Sequence, residues 1–167
     1  MDFEKKAIER IRIASEMSLH HYGEPLVCTY SGGKDSDVML ELFRRSGVPF
    51  EVSHGLTTAD APQTVRHIKD TFNRLESEGI KAQIDYHTTP KGKRVTMRHL
   101  IERKGIPTRK QRFCCKYLKE NTVRDRMIAT GVRWAESTRR RETRDVYEAS
   151  ARRTKDAILV SDEKMLI

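Results

Sequence analysis

Cysteine is scarce in this chain of 167 residues, with three in all. Two of them, Cys114 and Cys115, are adjacent, and none follows Cys115. An odd count with a neighbouring pair excludes a disulfide framework, and a cytoplasmic location is expected. No run approaches the ~20 apolar residues of a membrane span. The opening residues, Met1 to Lys6, lack the apolar stretch of a secretory signal. The six histidines show no HxxxH or HxxEH spacing, so a histidine metal site is not indicated. Only His54 falls at a strand end. No internal repeat, low-complexity tract or linker interrupts the chain, and aromatics do not interleave with its basic runs. One domain is expected.

Charge is abundant instead. Thirty-three Lys and Arg oppose 24 Asp and Glu, a formal net charge of +9. Such a balance attracts anions, nucleotides or nucleic acid, and says nothing of the fold. The basic residues concentrate between Arg103 and Arg126 and again from Arg139 to Lys155.

Apolar periodicity and turn residues predict an opening helix over 3–21, ended by Gly23 and Pro25. A strand follows at 26–30, a helix at 35–46 and a second strand at 50–54. A long helix is expected between Thr58 and Glu78, capped by Thr58 or Asp60, then a strand over 80–86 and a short helix over 96–104. A helix over 112–124 carries the cysteine pair, followed by strands at 127–130 and 157–160. This alternation predicts a three-layer, Rossmann-like α/β domain with a mainly parallel sheet, whose ligands sit at the carboxyl ends of strands. The apolar ending Lys164-Met165-Leu166-Ile167 lacks a polar tail, as in a domain missing its last elements.

The most informative stretch is Ser31-Gly32-Gly33-Lys34-Asp35-Ser36, between the first strand and the second helix. Strand, glycine turn and helix start together aim backbone N–H groups and a positive dipole end at one place, where an oxyanion fits. The spacing is neither GxxxxGK[ST] nor GxGxxG. A glycine turn with a polar cap is the plainer reading of such a junction.

The six residues match SGGxDS, the pyrophosphate loop of the ATP pyrophosphatase and phosphoadenosine phosphosulfate (PAPS) reductase superfamily. Three further segments follow in order. Leu56 to Thr64 resembles an LDTGxxFPET segment, Arg112 to Lys119 a CCxxxK segment, and Gly131 to Arg139 a GxRxxES..R arginine loop. The chain therefore resembles the PAPS reductase family, within the adenine nucleotide alpha-hydrolase-like fold, from about Leu26 to Arg141.

The resemblance implies an adenine nucleotide, ATP or PAPS, held by Ser31, Gly32, Gly33, Lys34, Asp35 and Ser36. Leu56, Thr57 and Thr58 would line the adenosine, although Thr57 stands where the family has Asp and Ala59 where it has Gly. Gly131, Arg133, Glu136, Ser137 and Arg139 would close over the phosphates. Lys34, Asp35 and Arg133 are the catalytic candidates, with Mg²⁺ bridging the phosphates near Asp35. The implied reaction is cleavage between the α- and β-phosphates with adenylation of a substrate, in sulfur metabolism or sulfur modification. Cys114 and Cys115 resemble half of a 4Fe–4S ligand set whose later CxxC this chain lacks. Two alternatives stand beside this reading. One is a thiol-dependent reductase without its catalytic C-terminal tail. The other is a basic nucleic-acid-binding accessory module, partnered by nucleic acid or a sulfur-transfer protein.

Overall fold

The computed structural model describes residues 2–89, 91–111, 113–118, 123, 125–131, 147–154 and 157–166; for Cys115, Lys116 and the last two segments it describes the backbone alone. The elements in chain order are α1 (Phe3–Tyr22), β1 (Leu26–Thr29), α2 (Lys34–Ser46), β2 (Phe50–Gly55), α3 (Pro62–Ser77), β3 (Ala82–Asp85), α4 (Met97–Lys104), α5 (Phe113–Leu118), β4 (Ile128–Thr130), β5 (Tyr147–Thr154) and β6 (Ala157–Leu166). They form a Rossmann-like three-layer α/β domain. Two compact units can be separated, Met1–Val52 with Asp125–Ile167, and Ser53–Arg124.

In the first unit the strand order is β1-β4-β6-β5. β1 runs parallel to β4, with Val27 opposite Ile128 and Cys28 opposite Ala129. β4 runs parallel to β6, where Met165 and Leu166 pair with Ala129 and Thr130. Lys164, Met165 and Leu166 of the apolar ending read from the sequence are thus strand. β5 is antiparallel to β6, so the mainly parallel sheet carries a hairpin at its edge. Leu26, Val27 and Cys28 are all buried, as expected of a strand covered on both faces.

α1 begins at Asp2, whose carboxylate accepts the Lys5 N–H at 3.2 Å, and stops at Gly23 in the left-handed region, φ 66°. Its buried stripe is Ile11, Ala14, Ser15 and Ser18. Apolar spacing along the helix would put Phe3 and Leu19 near the face of Ile11 and Ala14, yet both stand outside it, Phe3 at 76% exposure. Small residues let α1 approach α2 and β1 closely; Ser18 donates to the Glu24 carbonyl at 2.8 Å. α2 buries Met39, Leu40 and Phe43. Each such side chain contributes about 1.5–3 kcal/mol by leaving water. Arg126, just before β4, joins two segments of this unit. Its guanidinium donates to the Pro25 carbonyl at 2.7 Å and to Glu51 at 3.2 Å.

The second unit contains the end of β2, which neighbours β3, with α3 packed on β3. α3 is capped one residue after Asp60 and three after Thr58, its candidate caps. Ala61 is the N-cap and Pro62 the first helical residue, while Thr58 and Asp60 are used elsewhere. The buried stripe of α3 is Ile68, Thr71, Phe72 and Leu75, the i, i+3, i+4, i+7 pattern of one helical face. α4 is capped by the Thr96 hydroxyl, which accepts from His99 N–H at 3.2 Å.

Candidate functional site

The junction of β1 and α2 is fixed from both sides. The Thr29 hydroxyl donates to the Ala129 carbonyl at 2.8 Å, tying the end of β1 to β4. Tyr30 is buried, and its hydroxyl donates to Asp37 in the first turn of α2. Between them the chain turns at Gly32, whose φ of 73° is the region that favours glycine. Gly33 differs. Its φ of −102° and ψ of 164° are extended backbone open to any residue.

Ser36 holds the turn together. Its buried hydroxyl donates to the Gly33 carbonyl at 2.7 Å and accepts from the Gly33 N–H at 3.0 Å. The Ser31 hydroxyl in turn donates to Ser36 at 3.2 Å. The sequence offered both serines as donors to a ligand; here the Ser36 hydroxyl is engaged within the loop. The first helical bond of α2 runs from Asp37 N–H to the Gly33 carbonyl at 3.0 Å. The N–H groups of Lys34 and Ser36 precede it, in the first turn, whose donors an α-helix does not itself pair. Gly33 offers them no side-chain cap. Lys34 and Asp35 are exposed in the same first turn.

A Cβ built on Gly33 would meet one atom within 4 Å, the Ser31 hydroxyl oxygen at 3.6 Å, an ordinary contact. Neither the dihedrals nor the packing of the protein therefore requires glycine at 33.

β4 delivers a second segment to the same place. Because β1 and β4 are parallel and in register, their carboxyl ends share an edge. Gly131 follows β4 there, and a Cβ on it would lie 3.7 Å from the Asp35 carbonyl and 3.6 Å from Met39 Sδ. The structure thus brings the start of the arginine loop against the first turns of α2. Arg133, Glu136, Ser137 and Arg139 lie outside the described residues, as does Trp134.

In the second unit, the segment after β2 closes on itself. Asp60 accepts from the Thr57 N–H at 3.0 Å and from the Thr57 hydroxyl at 2.7 Å. Thr57 is buried and its hydroxyl oxygen also accepts from Ala59 N–H at 3.2 Å. Thr58 adopts φ 63°, rare for a β-branched residue, and its hydroxyl accepts from Met97 N–H at 2.8 Å. The Leu56 N–H donates to the Asp85 carbonyl at 3.1 Å. Burial pushes the Asp85 carboxyl above its ordinary range, against the opposing effect of hydrogen bonds from Ser53 and Gln83. His54 is buried at the end of β2.

The thiols do not fit a four-thiolate cluster on one chain. Cys28 is fully buried in β1, and burial pushes its thiol far up. Cys114 is free and half-buried on α5, and Cys115 adds one more thiol, two short of the four such a cluster takes. Reasoning from sequence missed Tyr30 and Arg94 as shaping residues and gave Asp60 only as a candidate helix cap. Arg94 sits in a hairpin whose turn signal is Lys91-Gly92-Lys93, and Gly92 has φ 73°. Among the described residues, no helix is long and apolar enough to cross a membrane.

No curated protein matches the chain. The phosphoadenosine phosphosulfate reductase domain matches it over residues 25–158, from the start of β1 into β6. Members of that domain family are sulfonucleotide reductases or related enzymes, and the match indicates nucleotide-related sulfur metabolism. The glycine turn at the carboxyl end of β1, the helix start behind it and the β4 end beside it are therefore read on a shared scaffold: the chain belongs to the PAPS reductase family, in the adenine nucleotide alpha-hydrolase-like superfamily.

Proposed function

We propose that this protein binds an adenine nucleotide, ATP or a sulfonucleotide, with its phosphates on the loop Ser31–Ser36, and acts as an ATP pyrophosphatase that adenylates a substrate in sulfur metabolism or sulfur modification. One observation carries the reading. The first turn of α2 is uncapped by Gly33, and Gly33 itself has no conformational or packing reason to be glycine.

In this reading the N–H groups at the start of α2 hold phosphate oxygens, and the helix dipole adds to their field. Lys34 neutralises charge that develops on the departing pyrophosphate. Ser36 and Ser31 keep the loop in place before any ligand arrives, so the donors need no reorganisation. Arg133 and Arg139 would complete the clamp, since guanidinium forks match phosphate oxygens two bonds at a time. A Mg²⁺ ion carried on the phosphates needs one or two carboxylates and no protein cage, and Asp35 is the carboxylate that α2 offers beside the loop.

Calorimetry of the purified chain against ATP, AMP and adenosine tests the binding, and pyrophosphate release measures the reaction. Affinity should rise from adenosine to AMP to ATP. Equal affinities across the three would place the recognition on the base and remove the loop from the argument.

A further inference from the structure

The net charge of the chain is not spread evenly along the fold. Residues 53–124, the second unit, hold sixteen Lys and Arg against seven Asp and Glu, a surplus of +9 that is the formal net charge of the whole chain. The remaining residues balance, seventeen against seventeen. Within the second unit the surplus narrows further. From Tyr86 to Lys119 there are eleven basic residues and one acidic residue, Glu102. Glu102 is occupied by Arg98, whose Nε donates to it at 3.1 Å one helical turn away. We propose that the surface formed by α4, α5 and the turn between them binds single-stranded nucleic acid, with its cations on the phosphates and its exposed apolar side chains against the bases.

Four cations of this surface, Arg103, Lys104, Arg109 and Lys110, are exposed and enter no ion pair among the described residues. Arg109 and Lys110 stand on a fixed turn. It is closed by Thr108 N–H to the Gln111 carbonyl at 3.3 Å and by Gln111 N–H to the Thr108 hydroxyl at 3.1 Å. Cations gathered without acids repel one another, and a polyanion relieves that repulsion.

Apolar groups are exposed among these cations. Ile106, between α4 and the turn, is 77% exposed, and Ile101 on α4 and Tyr117 on α5 also reach solvent. Contrary to the expectation from sequence, the basic run therefore does carry an aromatic beside its cations. Lys104 Nζ lies 5.0 Å from the centre of the Tyr117 ring, and Ile101 is one turn from Lys104 on α4. An exposed ring next to a cation is the pairing with which sequence-tolerant single-strand sites hold base and backbone together. An acidic protein surface would engage the cations alone and leave Ile106 and Tyr117 without a role. A duplex keeps its bases stacked inside and would do the same. The apolar positions favour an unpaired strand.

The test is a labelled oligothymidine strand of about twelve nucleotides, titrated into the full chain and followed by fluorescence anisotropy. With four phosphates neutralised, its affinity should fall about fiftyfold between about 50 and 200 mM salt. Arg109→Gln combined with Lys110→Gln should weaken binding and reduce that fall to about sevenfold. Tyr117→Leu should weaken binding about tenfold and leave the salt dependence unchanged, while Tyr117→Phe should bind as the parent does. All three positions are exposed, so the variants should melt like the parent. No binding at about 50 mM salt overturns the proposal. So does a duplex of the same length, or polyglutamate, that binds as tightly as the strand. Displacement of the strand by excess ATP also overturns it, since the strand would then be on the loop Ser31–Ser36. A chain that binds the strand but not ATP would keep this surface and remove the nucleotide reading; ATP binding without strand binding would remove this surface alone.

Discussion

Alanine at Gly33 and alanine at Gly32 should have opposite consequences, and the difference follows from two dihedral angles. At Gly33 the backbone is extended, with φ −102°, and the added methyl group would meet the Ser31 hydroxyl oxygen at 3.6 Å. Two small terms then compete. Losing glycine's unfolded-state entropy stabilises by about 0.4–1 kcal/mol, and alanine at an N-cap position costs about the same. The net change should stay within about 1 kcal/mol, a melting shift of no more than about 4 °C for a chain of this size. Ligand binding should suffer far more. A methyl group beside the loop holds the phosphate off the N–H groups of α2, and each charge-assisted hydrogen bond lost costs about 1.5–3 kcal/mol. Loss of one or two corresponds to roughly a hundredfold weaker ATP binding.

At Gly32 the φ of 73° makes alanine strained by about 1–2 kcal/mol, so that variant should melt measurably lower. Thermal melting and ATP calorimetry on the two variants decide the matter. A Gly33→Ala protein that binds ATP as tightly as the parent would falsify the phosphate assignment. One that unfolds would show instead that Gly33 is a structural glycine, contrary to its dihedrals.

Two further outcomes are expected. Arg126→Met should destabilise the protein by about 2–3 kcal/mol in urea unfolding, because Glu51, whose side chain is 15% exposed, loses the guanidinium facing it. A change below about 0.5 kcal/mol would mean that the ion pair is replaceable by water. Asp85 has a folded-state pKa raised by burial above its ordinary 3.8. The folded chain therefore binds more protons than the unfolded one just above that pH, and stability should fall as pH rises through the raised value. Asp85→Asn should lack this slope in urea midpoints measured from about pH 3 to pH 7, and a parent that gains stability relative to the variant over that range would reverse the sign of the argument.

The helix and strand order was legible because apolar spacing and the stops at Gly23, Gly47 and Gly105 agree with one another. What escaped the sequence is set by contacts distant along the chain or by local competition for hydrogen bonds. Asp60 looked like the cap of α3, but Thr57, three residues back, uses its carboxylate instead, and the helix starts at Pro62, behind Ala61, without a side-chain cap. β5 and the long extent of β6 depend on each other's antiparallel register, which no single strand pattern records. Arg66 and Lys69 lie on α3 and Arg94 on a hairpin, and only folding makes them neighbours.

The same local competition bears on the family pattern. At position 57 the family has an acid and this chain has threonine, a departure that from sequence alone removes a carboxylate from the segment. In the structure Asp60 returns one, with its Oδ2 on both the N–H and the hydroxyl of Thr57. A carboxylate therefore stands at the turn, three residues after Thr57. Ala59 stands where the resembled segment has glycine, and the left-handed conformation of the turn is carried by Thr58, whose hydroxyl accepts from Met97 N–H. Backbone hydrogen bonds to side chains can hold a turn that glycine would otherwise make easy. The turn of this chain is therefore defined by the atoms that close it, the Asp60 carboxylate and the Thr57 and Thr58 hydroxyls, and not by a glycine.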